Sequence, residues 1–198
     1  MKAMGALPKP IRPVTVQDFL DSPPHPQGLR EQLVDGVVVA MSPPSSVHAQ
    51  LQLEIGALLR AHLRSANSTC VAMTGAGVVP RQDLATNVRI PDVLVTCSDE
   101  DKRARVIRSP VLVIEVLSPS NERQTRANVW AYQSIPSVRE IVLLHSQAIA
   151  AEVRARATGE PWPDVPHYLG EDDRLRLDSI GADFALRDVY ATIPIGED

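Results

Sequence analysis

The feature that most limits how this chain can fold is the run Val111-Leu112-Val113-Ile114-Glu115-Val116-Leu117. Apart from one acid it is aliphatic and largely β-branched, with no polar alternation, which is how a strand central in a sheet reads. A second pattern supplies something for that sheet to pack on. Val47, Leu51, Ile55, Leu58, Leu59 and Leu63 recur at helical spacing behind Pro43-Pro44-Ser45-Ser46, where Ser45 or Ser46 can act as the N-cap. Strand and helix together predict a mixed α/β domain in which a curved sheet packs against a long helix.

Shorter segments fill in the order. Residues 1–14, with Pro8, Pro10 and Pro13, read as a flexible arm, because each proline removes a donor and disfavours helix before it. Residues 15–198 read as a single domain. Thr15-Val16-Gln17-Asp18 resembles a capping box opening a short helix that stops at Pro23-Pro24. Residues 31–34 and 37–41 flank Asp35-Gly36, a dipeptide suited to a two-residue type I′ turn, and so predict a hairpin. Residues 70–80 have the character of a strand broken by glycine, and 88–97 of a strand around Pro91. Residues 121–134 are helix-compatible, and 138–144 and 148–156 read as a second pair of strands. A proline-rich loop follows at 159–166, then a strand at 175–177 and a short final element near 184–190.

With 198 residues, 44% hydrophobic and 22% charged, the chain has ordinary globular composition, which excludes wholesale disorder and low-complexity repeats. No apolar run approaches the ~18 residues that cross a bilayer. The first residues lack the apolar stretch of a secretory leader, so the sequence predicts a cytoplasmic protein with no membrane partner. Cys70 and Cys97, a lone pair without Cys-x-x-Cys spacing, are expected to be small buried hydrophobes rather than a disulfide or a zinc site. The net charge of −4 argues against a protein that coats nucleic acid but leaves room for a local basic groove. Of the 20 basic residues only Lys2, Lys9 and Lys102 are lysine. There is no Gly-x-x-x-x-Gly-Lys loop, no Gly-x-Ser-x-Gly elbow and no His-Glu-x-x-His motif, so nucleotide hydrolysis, serine esterase chemistry and zinc proteolysis have no support.

Glu115 is out of place in its strand, because an ionised carboxylate among aliphatic neighbours is costly without a partner. Asp92, in Arg89-Ile90-Pro91-Asp92-Val93-Leu94-Val95, repeats the anomaly one strand earlier. If the two strands are neighbours the acids converge. Facing carboxylates raise each other's pKa unless a divalent cation or a basic side chain lies between them, and oxygen-only ligation suits Mg²⁺ or Mn²⁺. Two readings follow from the residues alone. One is a metal site on Asp92 and Glu115. The other is structural, with Glu115 paired to an arginine such as Arg89 and Asp92 merely ending a strand.

Pro91-Asp92 is followed 23 residues later by Glu115-Val116-Leu117-Ser118-Pro119-Ser120. With Glu31-Gln32-Leu33-Val34-Asp35-Gly36, Ser42-Pro43-Pro44-Ser45-Ser46-Val47-His48, and Tyr132 ahead of Pro136-Ser137-Val138-Arg139-Glu140, this order of motifs resembles the Uma2 (DUF820) family of restriction-endonuclease-type proteins over about residues 15–190. The resemblance implies the PD-(D/E)xK, restriction-endonuclease-like fold, a central curved mixed sheet flanked by helices, with acidic residues holding Mg²⁺ (or Mn²⁺) to hydrolyse DNA phosphodiester bonds. It implies Asp92 and Glu115 as metal ligands and Glu31 as a third acidic position, a ligand or a water-orienting base. His48 matches the family's histidine near the start of the long helix; without that role it is a solvated helix-terminal histidine. A homodimer is expected from the family and from the need to cover edge strands.

The sequence departs from the family pattern at the lysine. Leu117 stands two residues after Glu115, where the wider superfamily places lysine, and the positions at which relatives carry an aspartate and a lysine on the following helix are Gln124 and Asn128. Arg123 and Arg126 are the nearest replacements, and arginine can hold phosphate bidentately without activating water as lysine does.

Other segments carry less. Lys102-Arg103-Ala104-Arg105-Val106-Ile107-Arg108 could meet a DNA backbone through Arg103 and Arg105, or be a solvated loop offset by Asp99-Glu100-Asp101. Trp130 and Tyr132 are expected to pack in the core, and Trp162 across a loop or a subunit interface. The sequence thus supports a Mg²⁺-dependent DNA endonuclease in which Gln124 or Asn128 positions water or phosphate. The alternative is a nuclease-fold module that has lost its lysine and binds nucleic acid or protein without cleavage.

Overall fold

A computed structural model describes residues 12–81 and 85–195. Its elements are α1 (Val16–Asp21), β1 (Glu31–Val34), β2 (Val37–Ala40), α2 (Ser46–Ser65), β3 (Val71–Thr74), β4 (Gly77–Val78), β5 (Val93–Thr96), β6 (Val106–Ile107), β7 (Pro110–Leu117), α3 (Glu122–Gln133), β8 (Glu140–His145), β9 (Ala151–Ala155), β10 (His167–Leu169), β11 (Arg174–Leu177), β12 (Ala182–Ala185) and α4 (Leu186–Val189). Six strands form the main sheet in the order β10-β9-β8-β7-β5-β3. Strand β7 is central, as its apolar run requires. It pairs antiparallel with β5 and parallel with β8, and α3 makes the crossover that a parallel pair needs.

The period-2 alternation of β7 divides the core into two layers. Leu112, Ile114 and Val116 face a cluster that includes Leu51, Ile55, Leu59 and Leu63 of α2 and the C-terminal hairpin β11–β12. Each of those α2 side chains contributes about 1.5–3 kcal/mol relative to exposure. Val113 and Leu117 face the other layer, with Val129, Tyr132, Ile135 and Ile141. Glu115 shares this parity and therefore faces α3. The helix that carries the first layer is capped as its sequence suggests, with the Ser45 side chain accepting from the His48 amide.

The β1–β2 hairpin turns through Asp35 and Gly36, at φ 49° and 78°, as a type I′ turn demands. Gly36 is also required by contact, since a Cβ there would fall 2.4 Å from Pro13 Cβ. The capping box of α1 forms, with Thr15 and Asp18 bonded reciprocally. Of the expected N-terminal arm, residues 1–11 lie outside the described residues, while the Val14 amide bonds the Gly36 carbonyl at 2.9 Å. No helix among the described residues is long and apolar enough to cross a membrane.

Two expectations about the fold need correction. Cys70 and Cys97 are joined in a disulfide. In the antiparallel β3–β5 ladder Val71 faces Thr96, and one further step sets the two cysteines opposite each other, a pairing that spacing along the chain does not encode. Trp130 is not a core residue but is 75% exposed, because it lies on the outer flank of α3 while Tyr132 turns inward. Strands β4, β6 and β10 are too short to leave a periodic signature. The parallel β4–β6 pair instead carries the 77–78 segment alongside the residues that follow the η-turn at 101–103.

Candidate active site

Strand register builds the site. Val93 faces Ile114 across the β5–β7 ladder, so the residue before β5, Asp92, comes beside Glu115. The Asp92 amide approaches Glu115 Oε2 at 3.4 Å, and the Val116 amide donates to Asp92 Oδ2 at 2.8 Å. The side chains are 4% and 5% exposed, so water cannot solvate both charges and the protein must orient them. Helix α2 orients Asp92 from one turn: His48 Nε2 lies 2.9 Å from Asp92 Oδ1, and Gln52, four residues on, donates to the Asp92 carbonyl at 2.8 Å.

Helix α3 orients Glu115 with the same spacing. The Tyr132 hydroxyl donates to Glu115 Oε1 at 2.6 Å, Asn128 Nδ2 lies 3.4 Å from the same oxygen, and Gln124 in turn donates to Asn128 Oδ1 at 3.1 Å. Burial first, and the Asp92 carboxylate second, push the Glu115 carboxyl well above its ordinary range, against the pull of Tyr132 and Asn128. Tyr132, fully enclosed, has its hydroxyl pushed up by burial first and by the neighbouring Glu115 carboxylate second. The structural alternative, in which Arg89 pairs with Glu115, does not hold: the Arg89 guanidinium donates to the Leu33 carbonyl at 2.6 Å.

Asp92, Glu115, Gln124, Asn128 and His48 all line one cleft of about 240 Å³ between the β1–β2 hairpin and the first turns of α2 and α3. Glu31 does not line it. Side chains alternate along β1, and the neighbour that enters the cleft is Gln32, 1% exposed, whose Oε1 has no hydrogen-bond partner. A buried unpaired acceptor costs about 1–3 kcal/mol, and this one belongs to a residue that lines the same cleft as the two carboxylates. Gln32, Gln52 and Tyr132 are the site residues that sequence reasoning missed. The available signal was a polar residue on an otherwise apolar strand or helix face.

The basic candidates are placed differently. Arg126 forks onto Glu152 at 3.0 and 3.1 Å and bonds Glu122 at 2.8 Å. Arg105 pairs with Asp21 at 2.7 Å and donates to the Leu20 carbonyl. Lys102 pairs with Asp99. Arg103 and Arg123 are exposed, and neither lines the cleft. Within the 102–108 segment Val106–Ile107 is the buried strand β6, and Arg103, Arg105 and Arg108 stay exposed outside the cleft. Trp162 packs across its own loop, donating to the Gln133 carbonyl at 2.9 Å beneath the Arg156 guanidinium, 4.4 Å from the ring centroid.

Among the described residues, no three His, Cys, Asp or Glu side chains gather as a metal cage. The donor set is two carboxylates and the free Gln32 amide oxygen, all hard oxygen, and that set fits Mg²⁺ or Mn²⁺ rather than a softer ion.

Comparison with known proteins identifies the family and the fold. The Uma2 family model, described as "Putative restriction endonuclease", matches residues 16–188. The chain is 29% identical over 164 residues to the uncharacterized protein slr1290 of Synechocystis sp. (strain ATCC 27184 / PCC 6803 / Kazusa), covering 81% of this chain and 83% of that protein. It superposes with a TM-score of 0.70 on the crystal structure of a protein from Anabaena variabilis ATCC 29413 described as a putative nuclease belonging to DUF820. That match covers 90% of this chain and 98% of the other at 15% identity. At that identity the likeness establishes a shared fold, the mixed sheet flanked by helices.

Proposed function

This chain belongs to the Uma2 family, and from that premise we propose that it is a Mg²⁺- or Mn²⁺-dependent endonuclease that hydrolyses DNA phosphodiester bonds in the cleft holding Asp92 and Glu115. The observation that carries this reading is the meeting of two buried carboxylates from adjacent strands beside an unpaired amide oxygen. Asp92, Glu115 and Gln32 would hold the cation. Bound there, such an ion supplies Lewis-acid polarisation of a phosphoryl oxygen and neutralises charge that develops during hydrolysis.

The chain's own groups do the rest. His48 fixes Asp92, and the Tyr132 hydroxyl with Asn128 fixes Glu115, so both carboxylates are oriented before substrate arrives. Gln124, exposed at the mouth and tied to Asn128, positions water or a phosphate oxygen. Supercoiled plasmid incubated with Mn²⁺ is expected to be nicked by the wild type and at least ~100-fold more slowly by Glu115→Gln. Calorimetry should show Mn²⁺ binding that Asp92→Ala abolishes. Equal nicking by both proteins, or equal and negligible heats, overturns the reading.

One observation favours the non-cleaving alternative. Leu117, an aliphatic side chain packed inside the α3 layer, supplies no charge at the superfamily's lysine position. DNA binding and Mn²⁺ binding without nicking would establish that alternative. We also propose a homodimer, supported by the exposed edge strand β10, where Tyr168 is 62% exposed; a monomeric mass in sedimentation would refute it.

A further inference from the structure

We propose that Arg30 is the phosphate-gripping residue of this cleft and supplies the positive charge that the missing lysine would otherwise provide. The inference rests on the nuclease reading above. It starts from an electrostatic need: a phosphodiester is an anion, and a cleft floored by Asp92 and Glu115 repels it unless fixed positive charge stands at the rim. Among the described residues, Arg30 is the only lysine or arginine lining the cleft.

Strand geometry explains why. Arg30 lies two residues before Gln32 and shares its side of the extended chain, whereas Glu31 between them takes the other side. The backbone there is fixed, because Met41 N donates to the Arg30 carbonyl at 2.7 Å, adding one rung to a ladder that begins with Glu31 opposite Ala40. The guanidinium reaches the turn at Gly75, where a Cβ would sit 3.6 Å from Arg30 Nη1. Gly75, at φ +67°, has no side chain to crowd the guanidinium there.

The guanidinium is also uncommitted. Arg126, Arg105 and Arg89 are held by Glu152, Asp21 and the Leu33 carbonyl, while the Arg30 side chain forms no ion pair or hydrogen bond among the described residues. Its fork suits two oxygens of one phosphate. The opposite wall adds to the field. Helix α3 opens at the cleft without a side-chain cap, because the Asn121 side chain is turned back, its Nδ2 donating to the Val116 carbonyl at 3.0 Å and its Oδ1 accepting from the Ser118 amide at 2.8 Å. Its first-turn N–H groups therefore remain available toward an anion.

The test compares wild type, Arg30→Gln, Arg30→Lys, Arg103→Gln and Asp92→Asn on a fluorescent duplex, with thermal melting to verify folding. Arg30→Gln is expected to cut nicking in Mn²⁺ by about 100-fold, and Arg30→Lys by less. Binding in Ca²⁺ should lose about 0.9 from the slope of log affinity against log salt in Arg30→Gln. Arg103→Gln, which removes the same charge away from the cleft, should change neither. Arg30→Gln matching Arg103→Gln in both nicking and slope overturns the assignment, even where Asp92→Asn abolishes nicking and so upholds the nuclease reading. If Asp92→Asn nicks as the wild type does, the nuclease reading fails instead, and the salt slope alone decides Arg30. A wild type that neither nicks nor binds the duplex overturns both.

Discussion

Replacing Tyr132 with Phe removes one oxygen and nothing else. The ring is 0% exposed and packs among Val129, Ile135 and Ile141, so phenylalanine keeps the packing and leaves no cavity of consequence. What is lost is the 2.6 Å hydrogen bond to Glu115 Oε1. Asn128, at 3.4 Å from the same oxygen, is too distant to compensate. A buried hydrogen bond to a carboxylate is worth about 1.5–3 kcal/mol. For a domain of this size that is roughly 3–12 °C in Tm. Because outer partners of a ligating carboxylate typically set about 10–100-fold in metal affinity, Mn²⁺ binding should weaken in the same variant. The decisive assay is a double-mutant cycle in urea with Glu115→Met, which removes the acceptor while keeping an unbranched side chain. The Tyr132→Phe cost should largely vanish in that background, a coupling of at least ~1 kcal/mol. Additivity within about 0.5 kcal/mol, with Mn²⁺ affinity unchanged in Tyr132→Phe, would refute the claim that this hydroxyl holds the carboxylate.

Two further outcomes follow from the same coordinates. Burial alone would raise the Glu152 carboxyl, but Arg126 and then His145 outweigh it and hold it below the ordinary range. The stability from this pair is therefore present above the unfolded value near 4.5 and lost as pH falls through the folded one. Arg126→Gln should cost about 1–3 kcal/mol in urea unfolding at pH 7, less in acid, and leave the salt slope of DNA binding unchanged; a deficit equal at pH 7 and in acid would sink this account. The Cys70–Cys97 crosslink, with a sequence separation of 27, should contribute about 3.5 kcal/mol through loop closure. Cys70→Ser with Cys97→Ser should show that loss, reductant should reproduce it on the wild type, and identical melting with and without reductant would contradict it.

The parts of this fold that were legible in the sequence are those whose cause is local. Ser45 caps α2, Asp35-Gly36 turns the hairpin, and the aliphatic run of β7 takes the centre of the sheet, each because a few adjacent residues admit little else. Asp92 and Glu115 were legible as a pair because each stands alone in an apolar strand. The residues that hold them were not. Gln52 reaches Asp92 across 40 positions and Tyr132 reaches Glu115 across 17, and only the packed arrangement of α2 and α3 on the sheet brings them within bonding distance. The choice of Gln32 over Glu31 turned on which side of a four-residue strand faces inward. The disulfide was hidden for a related reason, since it depends on which strand is the neighbour of β3.

A comparison of the buried acids separates the site from the scaffold. Asp101 accepts from Thr96 Oγ1 and from the amides of Arg108 and Ser109, all within 3.0 Å, and so staples a loop. Glu140 takes the amides of Asp178 and Ser179, at 2.7 and 3.2 Å, and Glu152 has Arg126. Donors surround each of the three, although at Glu140 burial still holds the carboxyl above its ordinary range, and each is explained by the fold it braces. Asp92 and Glu115 differ, because beside their own donors they face one another, next to an amide oxygen with no donor at all. A folded protein tolerates one such place where function requires it. Here that place coincides with the cleft into which α2, α3 and the β1–β2 hairpin converge, and the deficit it leaves is one of positive charge, which a cation and the Arg30 guanidinium would together supply.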